Sequence, residues 1–320
     1  MVDPLIQDLV KMKASISLGI IDLSAERAEV VRRLNKAGLP VIAWLLLEKD
    51  QGYWFNLDNA RLAFTRYRDF KLWTDRFKLH WARIGVDIEP DIQELVRLTQ
   101  KNWAGIPRII ARIFDHRRLC QGRREYLELV ERIHSDGYLV DGYQFPVIAD
   151  ERKAGSSILQ RAAGLVDIPV DREVWMLYSS FRRSLGAGLV ASYSPEAQSI
   201  AVGSTGGGVD IGSGELALLT WEELSRDLRL GWHWCDDLHI FSLEGCVRQN
   251  FITRLASFEW DYPFLLPELS TRKVDRLRCA LQASLWVGSR VKGIILAGML
   301  AIIAGKRITI LRKDSHRTNV

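Results

Sequence analysis

A chain of 320 residues with 48% hydrophobic content can bury a large core, which excludes a disordered protein and suits one barrel of about 250 residues plus an appendage. The four cysteines, Cys120, Cys235, Cys246 and Cys279, have no metal-ligand or redox spacing, and no apolar signal segment opens the sequence, so a reducing, cytoplasmic compartment is expected. The formal charge of +5 is unevenly spread: from Ser270 onward eleven Lys and Arg stand against Asp275 and Asp314, a net +9, which leaves residues 1–269 at −4 and argues against a nucleic-acid-binding barrel.

Apolar strand-like runs alternate with segments of helical periodicity. The first run, Ile16 to Asp22, precedes a Ser24 cap and an amphipathic helix through Ala37 that Gly38 ends. The second, Pro40 to Leu47, leads into an aromatic loop, Gly52-Tyr-Trp-Phe-Asn56, and a long helix over 57–79. The third is Ala82-Arg-Ile-Gly-Val-Asp-Ile-Glu-Pro90, in which Ile84, Val86 and Ile88 alternate with Gly85, Asp87 and Glu89, so one strand face is apolar and the other small and acidic. A mostly helical stretch, Asp91 to His134, follows, with breaks expected near Gly105-Ile-Pro107 and Gln121-Gly122.

Gly137 to Phe145 is the fourth run, with a helix expected over 147–163. Leu165 to Val170 reads as a fifth strand or a connector. Strands are then expected at Glu173 to Ser180, Ser199 to Ser204 and Asp237 to Glu244, with helices over 186–197, 220–234 and 246–257. About eight such units in about 260 residues predict a parallel (β/α)8 TIM barrel over 1–269. An open doubly wound sheet lacks its dinucleotide fingerprint here, because Asp22-Leu-Ser24 stands where glycines belong. Gly203-Ser-Thr-Gly-Gly-Gly208 has neither the spacing nor the lysine of a P-loop and reads as a loop over a barrel mouth.

Acids at the C-terminal tip of a strand stand where barrels build active sites, although Asp and Glu also favour a helix N-terminus. Asp87 and Glu89 share a strand face, and a like charge nearby raises a carboxyl pKa. Glu89 is therefore the candidate general acid and Asp87 its modulator. Supporting candidates at other strand ends are Tyr178, Glu244, Asp141, Tyr143, Gln144 and Asp22. Glu244 reads equally as a helix cap, and a strand tyrosine such as Tyr178 is more often a core residue with its hydroxyl satisfied. Trp44, Tyr53 and Trp54 near the second strand end, and Trp232, His233 and Trp234 before the last strand, offer faces for sugar rings. Trp73, Trp81 and Trp103 suit helix packing instead.

No metal and no cofactor is expected, since the histidines form no His-x-His or His-x-x-x-His pair, and pairs at helical ligand spacing, such as His116 with Cys120 and His233 with Asp236 and Asp237, are isolated. No Gly-x-Ser-x-Gly elbow follows a strand.

Asp87-Ile-Glu89 and Met176-Leu-Tyr178 resemble the chitinase-like family 18 glycoside hydrolases, which end a strand with Asp-x-x-Asp-x-Asp-x-Glu and carry Met-x-Tyr-Asp on a later one. The pattern falls on Ala82, Gly85, Asp87 and Glu89, so two positions match, and Ser179 replaces the acid after Tyr178. The resemblance implies a barrel, a carbohydrate substrate, Glu89 as proton donor, Asp87 as its partner and Tyr178 as a positioning hydroxyl. The missing first two aspartates put the family's substrate-assisted route in doubt. Glu89-Pro90 is also similar to the Asn-Glu-Pro strand end of a large clan of retaining glycosidases, with Ile88 for the Asn, and there Glu244 would be the second carboxylate.

Residues 270–320 form a basic helical tail. Leu277, Leu281 and Leu285 repeat at helical spacing, and an apolar run from Gly293 to Gly305 lies between cations. A helix packed on the barrel, an interfacial anchor on an anionic membrane and a true span are the alternatives. Glycosidic-bond hydrolysis, a catalytically inactive barrel that binds a glycan or protein partner at a membrane, and a metal-assisted lyase or isomerase are the competing functions.

Overall fold

The computed structural model describes residues 4–99, 105–208 and 218–291. Seven parallel strands, β1 (Ile16–Ile20), β2 (Val41–Leu45), β3 (Arg83–Asp87), β4 (Val140–Gln144), β5 (Arg172–Met176), β6 (Ser199–Gly203) and β7 (Leu238–Phe241), lie side by side in chain order. Each pairs with the next, as Gly19 with Trp44, Gly85 with Asp141 and Gly203 with Phe241. Such an order with helical crossovers is TIM-like. The predicted closed (β/α)8 barrel is corrected in two respects: among the described residues the sheet has seven strands rather than eight, and β7 does not pair with β1, so it is curled but not closed.

The curl is fixed by side chains that meet inside it. Tyr143 on the central strand β4 reaches both edges, with its hydroxyl 2.5 Å from Ser17 Oγ on β1 and its ring 6.0 Å from that of His239 on β7. Trp44 on β2 packs edge-on against Phe241 on β7 at 6.3 Å. A Cβ on Gly85 would stand 2.8 Å from the Tyr143 ring, so only glycine leaves room for that ring beside β3. On the side where the strands do not pair, α1 (Pro4–Lys11) packs against α12 (Phe251–Ala256).

Of the two readings of 165–170, a strand or a connector, the structure has the connector. Leu165, Val166 and Ile168 are buried in the core between sheet and helices. Their apolar character serves that layer rather than a ladder, and Val170 fills the space beside Gly142.

The helices before that connector are α2 (Ala25–Lys36), α3 (Ala60–Phe77), α4 (Ile92–Thr99), α5 (Ile106–Ile113), α6 (His116–Ser135), α7 (Val147–Ala154) and α8 (Ile158–Ala163). After it come α9 (Arg183–Tyr193), α10 (Trp221–Trp232) and α11 (Leu243–Arg248). Ser24 caps α2 through its hydroxyl, which accepts from Arg27 N, and Thr220 with Glu223 forms a capping box on α10. The expected break at Gln121-Gly122 is absent, and α6 instead starts at its Asp115 cap. Gly122 answers to packing, since a Cβ there would lie 2.4 Å from Leu57 Cδ1.

A further helix, α13, covers 268–291. The half of the tail that it represents is docked on the body. Val274 and Leu285 are buried, and Arg278 is 7% exposed. The guanidinium bonds Asp150 Oδ1 on α7 at 3.0 Å and the Ser192 carbonyl at 2.6 Å, and lies 3.8 Å over the Tyr193 ring of α9. Gln282 donates to the same Asp150 oxygen at 2.8 Å. The apolar run 293–305 and the basic residues after it lie outside the described residues. No helix among the described residues is long and apolar enough to cross a membrane.

Candidate active site

β3 keeps the alternation read from its sequence: Ile84, Val86 and Ile88 join the outer core, while Gly85 and Asp87 face the interior. Asp87, the last residue of β3, is 2% exposed, and its Oδ2 accepts from Trp44 Nε1 at 3.0 Å. Its Oδ1 is buried and meets no donor of fixed position. Glu89, two residues on, is half-buried, and its backbone N donates to the Phe55 carbonyl at 2.9 Å. That bond and the Phe55–Ile88 bridge hold the aromatic loop against the acid-bearing tip.

Burial pushes Asp87 up to about 7, against the Trp44 bond and a bond from Glu89, both of which favour its charged form. Burial also raises Glu89 well above the ordinary carboxyl range, and the adjacent Asp87 charge and the bond to it act in the same direction. A proton on Glu89 thus supplies Asp87 with a second donor beside the Trp44 indole. The pair holds a proton more readily than ordinary carboxyls because burial disfavours its charge and, among the described residues, no cation is paired with it.

Tyr178, just beyond β5, stacks on Phe241 at 5.6 Å. Burial raises its phenol pKa, and the charges of Glu89 and Asp87 follow in order of effect. Tyr53 has a left-handed backbone, φ 64°, at the turn of the aromatic loop. Its phenol is raised by burial and then by Asp87, Glu89 and Glu244, which brings Glu244 within electrostatic reach of the same space. Glu244 itself is exposed in the first turn of α11, whose cap is Ser242. The acid pair, Trp44, Tyr53, Tyr143, Tyr178 and, at the edge, Glu244 are therefore gathered at the C-terminal end of the strands.

Other expected site residues lie elsewhere. Asp141 is not at a strand tip: it is the second residue of β4, fully buried, and is held by Arg83 and Arg172 at the opposite end of the sheet. Gln144 turns outward to the helix layer, where Arg152 of α7 donates to its Oε1 at 3.4 Å. Asp22 is exposed after β1, and both its oxygens accept from Ser24, at 2.8 Å each, ahead of α2. Trp54 is buried against Tyr53, Leu46 and Ile92 rather than offered as a platform. Trp232, His233 and Trp234 precede β7 and so stand at the end remote from Glu89. Trp73 and Trp81 are core residues whose indoles donate to the Ser24 carbonyl and Thr74 Oγ1, and Trp103 lies outside the described residues. Sequence reasoning passed over Ser17 and Phe241, although the alternation of His239 and Phe241 along β7 marks the inward face.

Among the described residues no three His, Cys, Asp or Glu side chains gather as metal ligands. Two cavities of about 670 and 510 Å³ lie between α3 and α6, lined by Arg61, Gln121 and Glu125, and share no residue with the acid pair. Neither the family models nor the curated proteins compared with this chain match it.

Proposed function

We propose that this protein hydrolyses a glycosidic bond, with Glu89 as the proton donor to the leaving oxygen and Asp87 as the group that tunes and orients it. One observation carries the reading: at the tip of β3 a buried Asp87 and a half-buried Glu89 stand together with no cation paired to them among the described residues, which raises both carboxyls and makes a proton available near neutral pH. Tyr178 and Tyr53 lie close enough to feel both charges, and in this reading theirs are the hydroxyls that hold a sugar. Glu244 is the carboxylate that would serve a second role across the mouth. Because Glu89 must be protonated to act, the rate falls as pH rises through its elevated pKa.

The test is a panel of chromogenic aryl glycosides assayed with the natural chain and with Glu89→Gln. The substitution keeps volume and removes the donated proton, so activity is expected to fall roughly a hundredfold to ten-thousandfold with little change in melting temperature. Full activity in the variant would overturn the assignment. Oligosaccharide binding by calorimetry with no cleavage of any glycoside would instead favour an inactive, glycan-binding barrel.

A further inference from the structure

We infer that the outward face of α13 docks on an anionic lipid surface, independently of what the acid pair does. One side of this helix is spent on the body through Val274, Arg278 and Leu285. The other carries Leu269 at 77% exposure, Leu277 at 58%, Val287 at 46% and Val291 at 43%. At about 100° per residue these four positions fall within one stripe about 80° wide. Tyr262, Leu265 and Leu266, just before the helix, are exposed as well, Leu265 almost completely. Apolar side chains exposed together in this way mark an interaction surface rather than ordinary scatter.

Charge selects the occupant. Lys273 is exposed within the same stripe and Arg276 at its edge, and Arg272 and Arg290 are exposed along that same flank. Glu268 and Asp275 are the acids of this helix, and each already has a partner, Arg272 and Ser192 respectively. A second copy docking face to face would bring Lys273 and Arg276 against the same cations, which opposes self-association. A bilayer with anionic headgroups accepts both features at once: leucine and valine enter the acyl boundary while Lys273 and Arg276 remain at headgroup level. Residues 1–269 carry a net −4, so the attraction is confined to this end and fixes which way the body faces.

The full chain is mixed with vesicles of phosphatidylcholine alone or with added phosphatidylserine, and floated. The natural chain is expected to float with the anionic vesicles and to be largely released at high salt. Lys273→Gln with Arg276→Gln should weaken partitioning about thirtyfold, each charge contributing roughly a fivefold factor. Leu269→Asp with Leu277→Asp should abolish flotation. All four positions are exposed, and an unchanged melting curve establishes that each variant is folded. The inference is overturned if the natural chain stays at the bottom of the gradient. It is equally overturned if both variants float like the natural chain, or if light scattering finds a dimer that the leucine variant loses while neither protein floats.

Discussion

Asp87 on β3 and Asp141 on β4 both face the inside of the curled sheet and both are almost wholly removed from water, yet among the described residues only Asp141 is given cations. Arg83 and Arg172 grip Asp141, and Arg172 continues to Asp237 at 2.8 Å. Burial opposes the charge of Asp237, but His239 and Arg172 outweigh it and hold its pKa down at about 2. At the other end of the strands Asp87 has one indole donor and an acidic neighbour. A carboxylate that only ties strands together is compensated, whereas one left uncompensated holds a proton at physiological pH. The same residue type in the same interior is paired with cations at one end of the strands, and at the other is left to the chemistry proposed for it.

The contrast can be broken by making the same substitution at both sites. Asp141→Asn leaves Arg83 without its buried partner and Arg172 with Asp237 alone, and is expected to cost about 3–5 kcal/mol in urea unfolding at neutral pH. Asp87→Asn should act with the opposite sign. The folded-state pKa of Asp87, about 7, lies above its unfolded value near 4, so the stability of the natural chain is full below about pH 4 and declines as pH rises towards 7. The Asn variant escapes that decline. It should be more stable than the natural chain at pH 8 by on the order of 2–4 kcal/mol and nearly equal to it at pH 4. Unfolding curves for both variants at the two pH values decide the matter, and destabilisation of similar size at both sites would dissolve the distinction. The smallest effect sharpens the chemical end: Tyr178→Phe should lower kcat about tenfold, the worth of one hydrogen bond, with KM little changed. If kcat is unaltered in that variant, the hydroxyl does not touch the reacting sugar.

Local pattern carried the sequence reading where it succeeded. β3 was legible because Ile84, Val86 and Ile88 alternate with small and acidic residues, so the place of Asp87 at the strand's end, with Glu89 two residues beyond it, followed from the strand itself. The caps at Ser24 and Thr220 were legible for the same reason. Asp141 was misplaced because its role depends on Arg83 and Arg172, which are 58 and 31 residues away and reach it only once the strands pair. Leu165 to Val170 has the composition of a buried strand, but burial under helices demands the same residues, and only pairing separates the two. Gly122 marked a close contact with Leu57 rather than a break, a distinction that rests on a neighbour 65 residues away.

The clamp between Arg278 and Asp150 has a consequence for how the chain comes into being. The two residues are separated by 128 positions, and all of β5, β6 and β7 lies between them. While the ribosome is still making that intervening stretch, α7 carries an aspartate whose principal counter-ion does not yet exist. The Tyr193 hydroxyl is the first partner to arrive, and the guanidinium follows only after every strand of the sheet has been made. A contact of such long sequence separation closes late, so a nascent sheet waits with an open, charged seam until α13 seals it.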